Sequence, residues 1–423
     1  MNYLEGNLPI ALPLVDSLII KVIGVGGGGG NAVNHMYRQG IKDVSFVVCN
    51  TDYQALANSP VPIKIQIGTL GAGGKPEIAR QAAEKNIDKI KDVLKDNTEM
   101  LFITATMGGG TGTGASPIIA KAAREMEILT IGIVTIPFAF ELKPKIEQAL
   151  QGVLALSEHV DALLVINNEK LREIYPELNF STAYAKADDV LTNAAKGIAE
   201  IITVPGYINI DFADVHSTMK DGKVAVMNTG FASGENRITK AIEDALNSPL
   251  LNMSDVKGAR KILLNLYCSN QHEFKMEEFE EIHQFMSKIG DADVIWGVTF
   301  DDALEEKIKI TLIATGFDVS DIPGMPAKAK SEISDNKNTI IEFTVNGDAV
   351  VSDEDKEKKK DDLIKKAMNE FYGKSVEPEK ESNNEIEPEN DLPVIDWENL
   401  LNDFENDDKR KEIEDIPTHK RLK

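Results

Sequence analysis

Cysteine is almost missing from this chain: 423 residues contain two, Cys49 and Cys268. So few thiols exclude a disulfide framework and fit a reducing cytosol. Cys49 closes the apolar run Phe46-Val47-Val48-Cys49, where a small buried residue suits a strand. No apolar stretch reaches the ~20 residues that a membrane-spanning helix needs. Met1 to Asp16 lacks the basic start of a secretory signal, and residues 1–17 read as a flexible extension. Contact with a membrane is therefore expected only through another protein. Positive charge is also in deficit, because 46 basic against 69 acidic residues leave a net −23. That excludes nucleic acid as the main partner, since binding a phosphate backbone requires a positive field. Nucleotides are not excluded, because backbone N–H groups can hold their phosphates. The six histidines are scattered, and His35, His159 and His216 read as structural, so no metal site made by the protein alone is expected.

What is present is an alternation of strands and helices. From residue 18 the chain reads as strand Leu18 to Val25, helix Asn31 to Gln39 stopped by Gly40, and strand Val44 to Cys49. Helix Glu77 to Leu94, strand Met100 to Ala105, helix Ser116 to Met126 and strand Thr130 to Ile136 follow, then a helical stretch at Ile146 to Leu154 and strand Leu163 to Ile166. Near-continuous apolar strands between helices predict a parallel sheet covered on both faces. A long helix spans residues 182–205, with Ala187, Val190, Leu191, Ala194, Ile198 and Ile201 at helical spacing and Pro205-Gly206 at its end. Residues 206–317 read as a second, smaller α/β domain. Beyond it, residues 319–423 hold 28 acidic and 17 basic side chains with few large apolar ones, the composition of a disordered acidic linker. Within it Asp353 to Tyr372 has the makings of a transient charged helix. The last residues, 412–423, turn apolar and basic again, as a docking peptide on a tether does.

Two glycine loops sit where phosphates would be held. The first, Gly24-Val25-Gly26-Gly27-Gly28-Gly29-Gly30-Asn31, follows a strand and opens a helix. Glycine allows close backbone approach, and a helix start offers free N–H groups and a favourable dipole. Its Gly24, Gly26 and Gly29 also satisfy G-x-G-x-x-G, so alone it suits a dinucleotide-binding oxidoreductase equally well. The second loop, Gly108-Gly109-Gly110-Thr111-Gly112-Thr113-Gly114, lies at another strand–helix junction, with Pro117 expected in the first helical turn. A dehydrogenase needs one such loop, not two. A Walker A loop is absent, because Gly74-Lys75 runs into Pro76. A third segment, Gly71-Ala72-Gly73-Gly74, completes a set able to wrap a triphosphate from several sides.

The run Gly-Gly-Gly-Thr-Gly-Thr-Gly resembles the signature loop of the tubulin/FtsZ family, and the likeness extends over residues 18–317 and the terminal peptide. The resemblance implies an α/β fold: a GTP-binding domain at 18–181, a central helix at 182–205, an activation domain at 206–317, an acidic linker at 318–411 and a docking peptide at 412–423. It implies that Gly27, Gly28, Gly29, Gly30 and Asn31, with Gly108, Gly109, Gly110, Thr111, Gly112 and Thr113, hold the phosphates of GTP or GDP with Mg2+. Ala72, Gly73 and Gly74 would sense the γ-phosphate, and Asn50-Thr51-Asp52 would form a further nucleotide-side loop. Glu141 and Lys145 would meet the ribose side, although the family usually has arginine where this chain has Lys145. Tyr184 would stack on guanine and Asp188 would read its edge. Asn209, Asp211 and Asp214 match the catalytic loop, which the family inserts into the next subunit's pocket. A head-to-tail homopolymer and GTP hydrolysis follow from the resemblance, as do a place at the mid-cell division site in the cytoplasm and docking of Asp415-Ile416-Pro417 on a membrane anchor such as FtsA. The alternative is a structural filament that binds GTP with little hydrolysis.

Overall fold

The computed structural model describes residues 18–246, 258–289 and 292–318. Ten strands form one sheet: β1 (Ile20–Val25), β2 (Ser45–Asn50), β3 (Ile63–Gln66), β4 (Met100–Thr106), β5 (Leu129–Ile136), β6 (Ala162–Asn167), β7 (Lys223–Ala232), β8 (Lys261–Cys268), β9 (Asp293–Phe300) and β10 (Ile308–Phe317). Their order is β3-β2-β1-β4-β5-β6-β7-β10-β8-β9. Every neighbouring pair from β3 to β6 is parallel. β7 continues parallel to β6 through only Ala162↔Lys223 and Leu163↔Val224, and β10 lies antiparallel between β7 and β8.

The helices are α1 (Gly26–Arg38), α2 (Tyr53–Ala57), α3 (Pro76–Lys85), α4 (Ile87–Leu94), α5 (Gly110–Glu125), α6 (Lys143–Ser157), α7 (Asn168–Ile174), α8 (Phe180–Thr203), α9 (Phe212–Met219), α10 (Arg237–Leu246) and α11 (Phe279–Ile289). Alternate residues of each central strand enter opposite cores. Ile23, Val25, Val47 and Ile103 pack with Ala83, Ile90, Ile119 and Leu150 from α3 to α6. Val22, Val48, Phe102 and Ile133 pack with Val33 and Met36 of α1 and with Leu191 and Ile198 of α8. Burial on both faces explains why these strands read as apolar runs rather than as alternating ones. Lys21, which interrupts the first run, is buried, and its Nζ donates to the carbonyls of Val93 (2.6 Å) and Asp96 (3.2 Å) at the end of α4. An ammonium there answers the orphan carbonyls and negative dipole end of that helix.

Several boundaries differ from the sequence reading. The stretch 77–94 is two helices, not one. They meet at Asn86, whose side chain donates to the carbonyl of Ala82 at 2.9 Å and so takes over a bond the backbone would have made. α1 and α5 begin inside the glycine loops, at Gly26 and Gly110. Pro117 therefore lies inside α5 and not in its first turn, a correction to the expected start at Ser116. β3, α2 and α7 carry too few periodic residues to be seen in the sequence. The 1–17 extension, residues 319–411 with the 353–372 segment, and the terminal peptide lie outside the described residues.

In the outer half of the sheet, Arg237 of α10 joins α10 to the segment before α11. Its guanidinium pairs with Glu278 at 2.6 and 3.0 Å and also donates to the carbonyls of His272 and Glu273. Both side chains are largely buried. Arg237→Ala would strand a buried carboxylate and is expected to cost about 3–5 kcal/mol in urea unfolding, with Glu278→Gln costing less because the guanidinium keeps the glutamine oxygen and the carbonyls of His272 and Glu273 as acceptors.

A glycine-lined cradle and a distant carboxylate pair

Because β1 to β6 run parallel, the loops that follow them share one sheet edge. α1 starts there directly from β1 and α5 starts after the Met107 to Gly109 turn that follows β4, and neither has a side-chain cap on its first turn. Their leading N–H groups therefore remain available to an anion.

The glycines divide into two kinds. A Cβ on Gly28 would lie 2.1 Å from Thr106 Oγ1, and one on Gly29 would lie 2.2 Å from the carbonyl oxygen of Thr104. These positions are glycine so that α1 can rest on β4. At Gly27, Gly30 and Gly109 a Cβ would meet nothing within 4 Å, so these backbone positions face open space where a ligand could approach. A cavity of about 350 Å3 opens beside Gly27 and Gly30, lined also by Asn31, Asn50 and Ser59 among others.

The other predicted loops come to the same place. Thr51 and Thr111 share a hydroxyl hydrogen bond of 2.7 Å, and Gly110 packs against Ala72. Gly73 and Gly74 have φ of 57° and 75° and stand open. Thr113 is committed within its own loop, its hydroxyl accepting from Gly108 N–H at 2.9 Å.

Glu141, Lys145 and Tyr184 also meet. One oxygen of Glu141 accepts from Phe138 N–H at 3.0 Å, and the other pairs with Lys145 Nζ at 2.5 Å. Lys143 pairs instead with Glu147. The Tyr184 ring stands edge-on to Phe138, with centroids 5.2 Å apart. Burial, then the charge of Glu141 and a hydrogen bond to it, raise the Tyr184 phenol above its ordinary range. Asp188 lies one turn further along α8. Burial, with Asp189 beside it, pushes its carboxyl up to about 7.

Two polar side chains at this edge were not anticipated from the sequence. Asn167 and Asn168 are buried where β6 ends, and Asn167 Nδ2 and Asn168 Oδ1 have no partner among the described residues. Such atoms usually meet a water or a ligand. A single Asn-Asn pair carries no sequence signal that separates this use from a turn.

Asn209, Asp211 and Asp214 do not join this cradle. Asp211 caps α9, accepting from Asp214 N–H at 2.9 Å, while Asp214 accepts from Asp211 N–H at 3.0 Å. Asn209 accepts from Gly206 N–H. The far end of α9 is tied by Lys220 Nζ to Asp161, 3.0 Å away and just ahead of β6. That is the edge at which the parallel strands begin. α8, with 24 residues, crosses the sheet between the two edges over about 36 Å.

The comparisons with known proteins place the chain in a family. The model of the Tubulin/FtsZ family GTPase domain matches residues 19–176, and that of the FtsZ family C-terminal domain matches residues 223–318. The cell division protein FtsZ of Porphyromonas gingivalis is 44% identical, covering 99% of this chain and 87% of that protein. The chain belongs to the FtsZ family. FtsZ of Aquifex aeolicus is also 44% identical, over 70% of this chain and 83% of that one. Among solved structures, an empty FtsZ dimer of M. jannaschii superposes with a TM-score of 0.64 at 39% identity, covering 70% of this chain and 88% of that one. β1 to β6 and both helix-start loops lie inside the matched GTPase region, and β7 to β10 lie inside the matched C-terminal domain.

The two kinds of glycine predict different outcomes. Without nucleotide, Gly29→Ala should lower thermal stability by at least ~2 kcal/mol, because its new methyl meets backbone that cannot yield. Gly30→Ala should leave stability unchanged or raise it by up to ~1 kcal/mol, since alanine favours the helix and the space is empty.

Proposed function

We propose that this chain is a GTPase that assembles head to tail, with each hydrolytic site completed by the neighbouring copy. The observation that carries the reading is the separation of parts. The cradle lies at one sheet edge, and Asp211 and Asp214 lie at the other. A subunit's carboxylates are thus held away from its own cradle, whereas a second copy set end to end would deliver them. Exposed apolar side chains flank both ends: Tyr53, Leu70, Phe140 and Leu142 beside the cradle, and Val204, Tyr207 and Ile208 beside Asp211. Apolar groups displayed at two complementary ends favour a repeating contact. A relative that was solved as a dimer supports the same reading.

In this reading the first turns of α1 and α5 hold the phosphates, and the Ala72 to Gly74 loop meets the γ-phosphate. Tyr184 supports the base. Asp188, when ionised, accepts from the N1–H and amino group of guanine, which adenine does not offer as a pair. Among the described residues no three His, Cys, Asp or Glu gather into a metal site, so Mg2+ would be held chiefly by phosphate oxygens, where it offsets their charge. Asp211 and Asp214 each spend one oxygen on the α9 cap and keep the other to orient a water for attack on the neighbour's γ-phosphate. Residues 18–181 would be the GTP-binding domain and 206–317 the activating one, with α8 between them. Filaments would form the division ring at mid-cell in the cytoplasm. The terminal peptide 412–423 would link them to a membrane anchor such as FtsA.

GTP turnover per molecule in the presence of Mg2+ is expected to show a threshold and then rise with protein concentration. Asp211→Asn and Asp214→Asn should keep the helix cap, since asparagine caps as well as aspartate does, yet lower turnover on the order of 100-fold while GTP still binds. A flat concentration dependence at full activity would sink the shared site. Low turnover in the unaltered chain at every concentration would favour the structural filament, a reading to which the use of both carboxylates in the cap lends some support.

The raised Asp188 carboxyl sets a pH dependence. Guanine requires the ionised form, so affinity for GDP should fall by up to about tenfold per pH unit below 7. Asp188→Asn should bind more weakly at pH 8 and lose this dependence. Titrations at pH 5.5 to 8 would check both.

A further inference from the structure

Gln148 stands on α6, three residues past Lys145, and is half-buried. Its Nε2 lies 2.9 Å from the carbonyl oxygen of Gly108, 3.1 Å from that of Gly109 and 3.1 Å from that of Gly74. One amide group, with two N–H donors, thus serves three carbonyls on two separate glycine loops. These loops need such a tie. Glycine permits the required backbone shapes, with φ of 91° at Gly108 and 75° at Gly74, but it also leaves the unliganded backbone freer than any other residue would. The loops also offer few side chains with which to hold one another.

We propose that Gln148 is a positioning residue that clamps the Gly71 to Gly74 loop against the Gly108 to Gly110 turn, and so sets how strongly the site distinguishes a nucleoside triphosphate from a diphosphate. The proposal rests on the reading of this cradle as a guanine-nucleotide site. In a trans peptide the C=O and the following N–H point in opposite directions. With the carbonyls of Gly108 and Gly109 drawn to Gln148, the N–H groups of Gly109 and Gly110 are turned the other way, out from the start of α5. Two anion donors are thereby set before a ligand arrives, which removes part of the ordering cost of binding. The third bond, to Gly74, extends the same hold to the loop on the γ-phosphate side. Losing the clamp therefore weakens the contact that only a triphosphate makes, while contacts to the α- and β-phosphates from α1 persist. The geometry at Gly108 supports a close fit, since a Cβ there would fall 2.7 Å from the carbonyl oxygen of Lys145 on the same helix.

The test uses the full chain, dilute enough to remain unassembled, and measures the affinity for GDP and for a slowly hydrolysed GTP analogue. Gln148→Met keeps the length of the side chain and removes its donors. The ratio of analogue to GDP affinity should fall about fivefold, with GDP affinity changed less than about twofold, which also shows that the variant is folded. Gln148→Lys restores donors to the same carbonyls and should recover most of the ratio. An unchanged ratio in Gln148→Met, an equal loss for both nucleotides, or a lysine variant no better than methionine would overturn the proposal. Failure of the unaltered chain to bind either nucleotide would instead overturn the reading of the cradle itself, and the clamp with it.

Discussion

Parallel pairing of β1 to β6 is the constraint on which the rest of the molecule depends. It sends every strand out at the same edge. The starts of α1 and α5, with their unsatisfied N–H groups and positive dipole ends, are thereby gathered at one side of the sheet. A single helix start is a weak anion site. Two such starts with glycine loops between them make a cradle that can surround a chain of phosphates. The same pairing requires helices on both faces, and these bury the strands and fix where each loop begins.

Glycine serves this arrangement in two distinct ways. At Gly28 and Gly29 it allows helix and sheet backbones to approach more closely than any side chain permits. At Gly27, Gly30 and Gly109 it leaves the backbone uncovered. The freedom gained in the second way must be restrained from outside. Hydrogen bonds from Thr113, Thr51 and Gln148 supply that restraint, so a loop that appears in sequence as a string of permissive residues is held in one shape.

At the opposite edge, Asp211 and Asp214 combine structure and chemistry in one pair. Each accepts a backbone N–H of the other, which fixes the start of α9. The cap therefore orients the carboxylates that the proposed reaction needs. Length is the other factor. α8 alone is about 36 Å long, and no local flexibility of the capped helix that follows it spans such a distance. In the proposed reaction the catalytic geometry is then a property of two copies and not of one.

The fold class was legible in the sequence because burial on both faces writes itself as apolar strands between amphipathic helices. The central strands and α8 were placed to within a few residues for that reason, and the glycine loops announced the phosphate side through the torsions only glycine adopts freely. Helix starts inside those loops were not legible, because glycine propensity argues against a helix and only packing on β4 overrides it. Neither was the capping of α9, since an N-x-D-x-x-D segment reads equally well as a solvated turn. Gln148, Asn167 and Asn168 carried no signal at all: the partners of Gln148 lie 39 to 74 positions away, the burial of the Asn pair depends on where β6 ends in the sheet, and both are set only when the sheet has closed. Sequence by itself determined which residues could touch a phosphate, because that ability is local and chemical. Tertiary structure decided which of them share one edge and which lie at the other, because that depends on strand order and helix length, and neither is a property of any single segment.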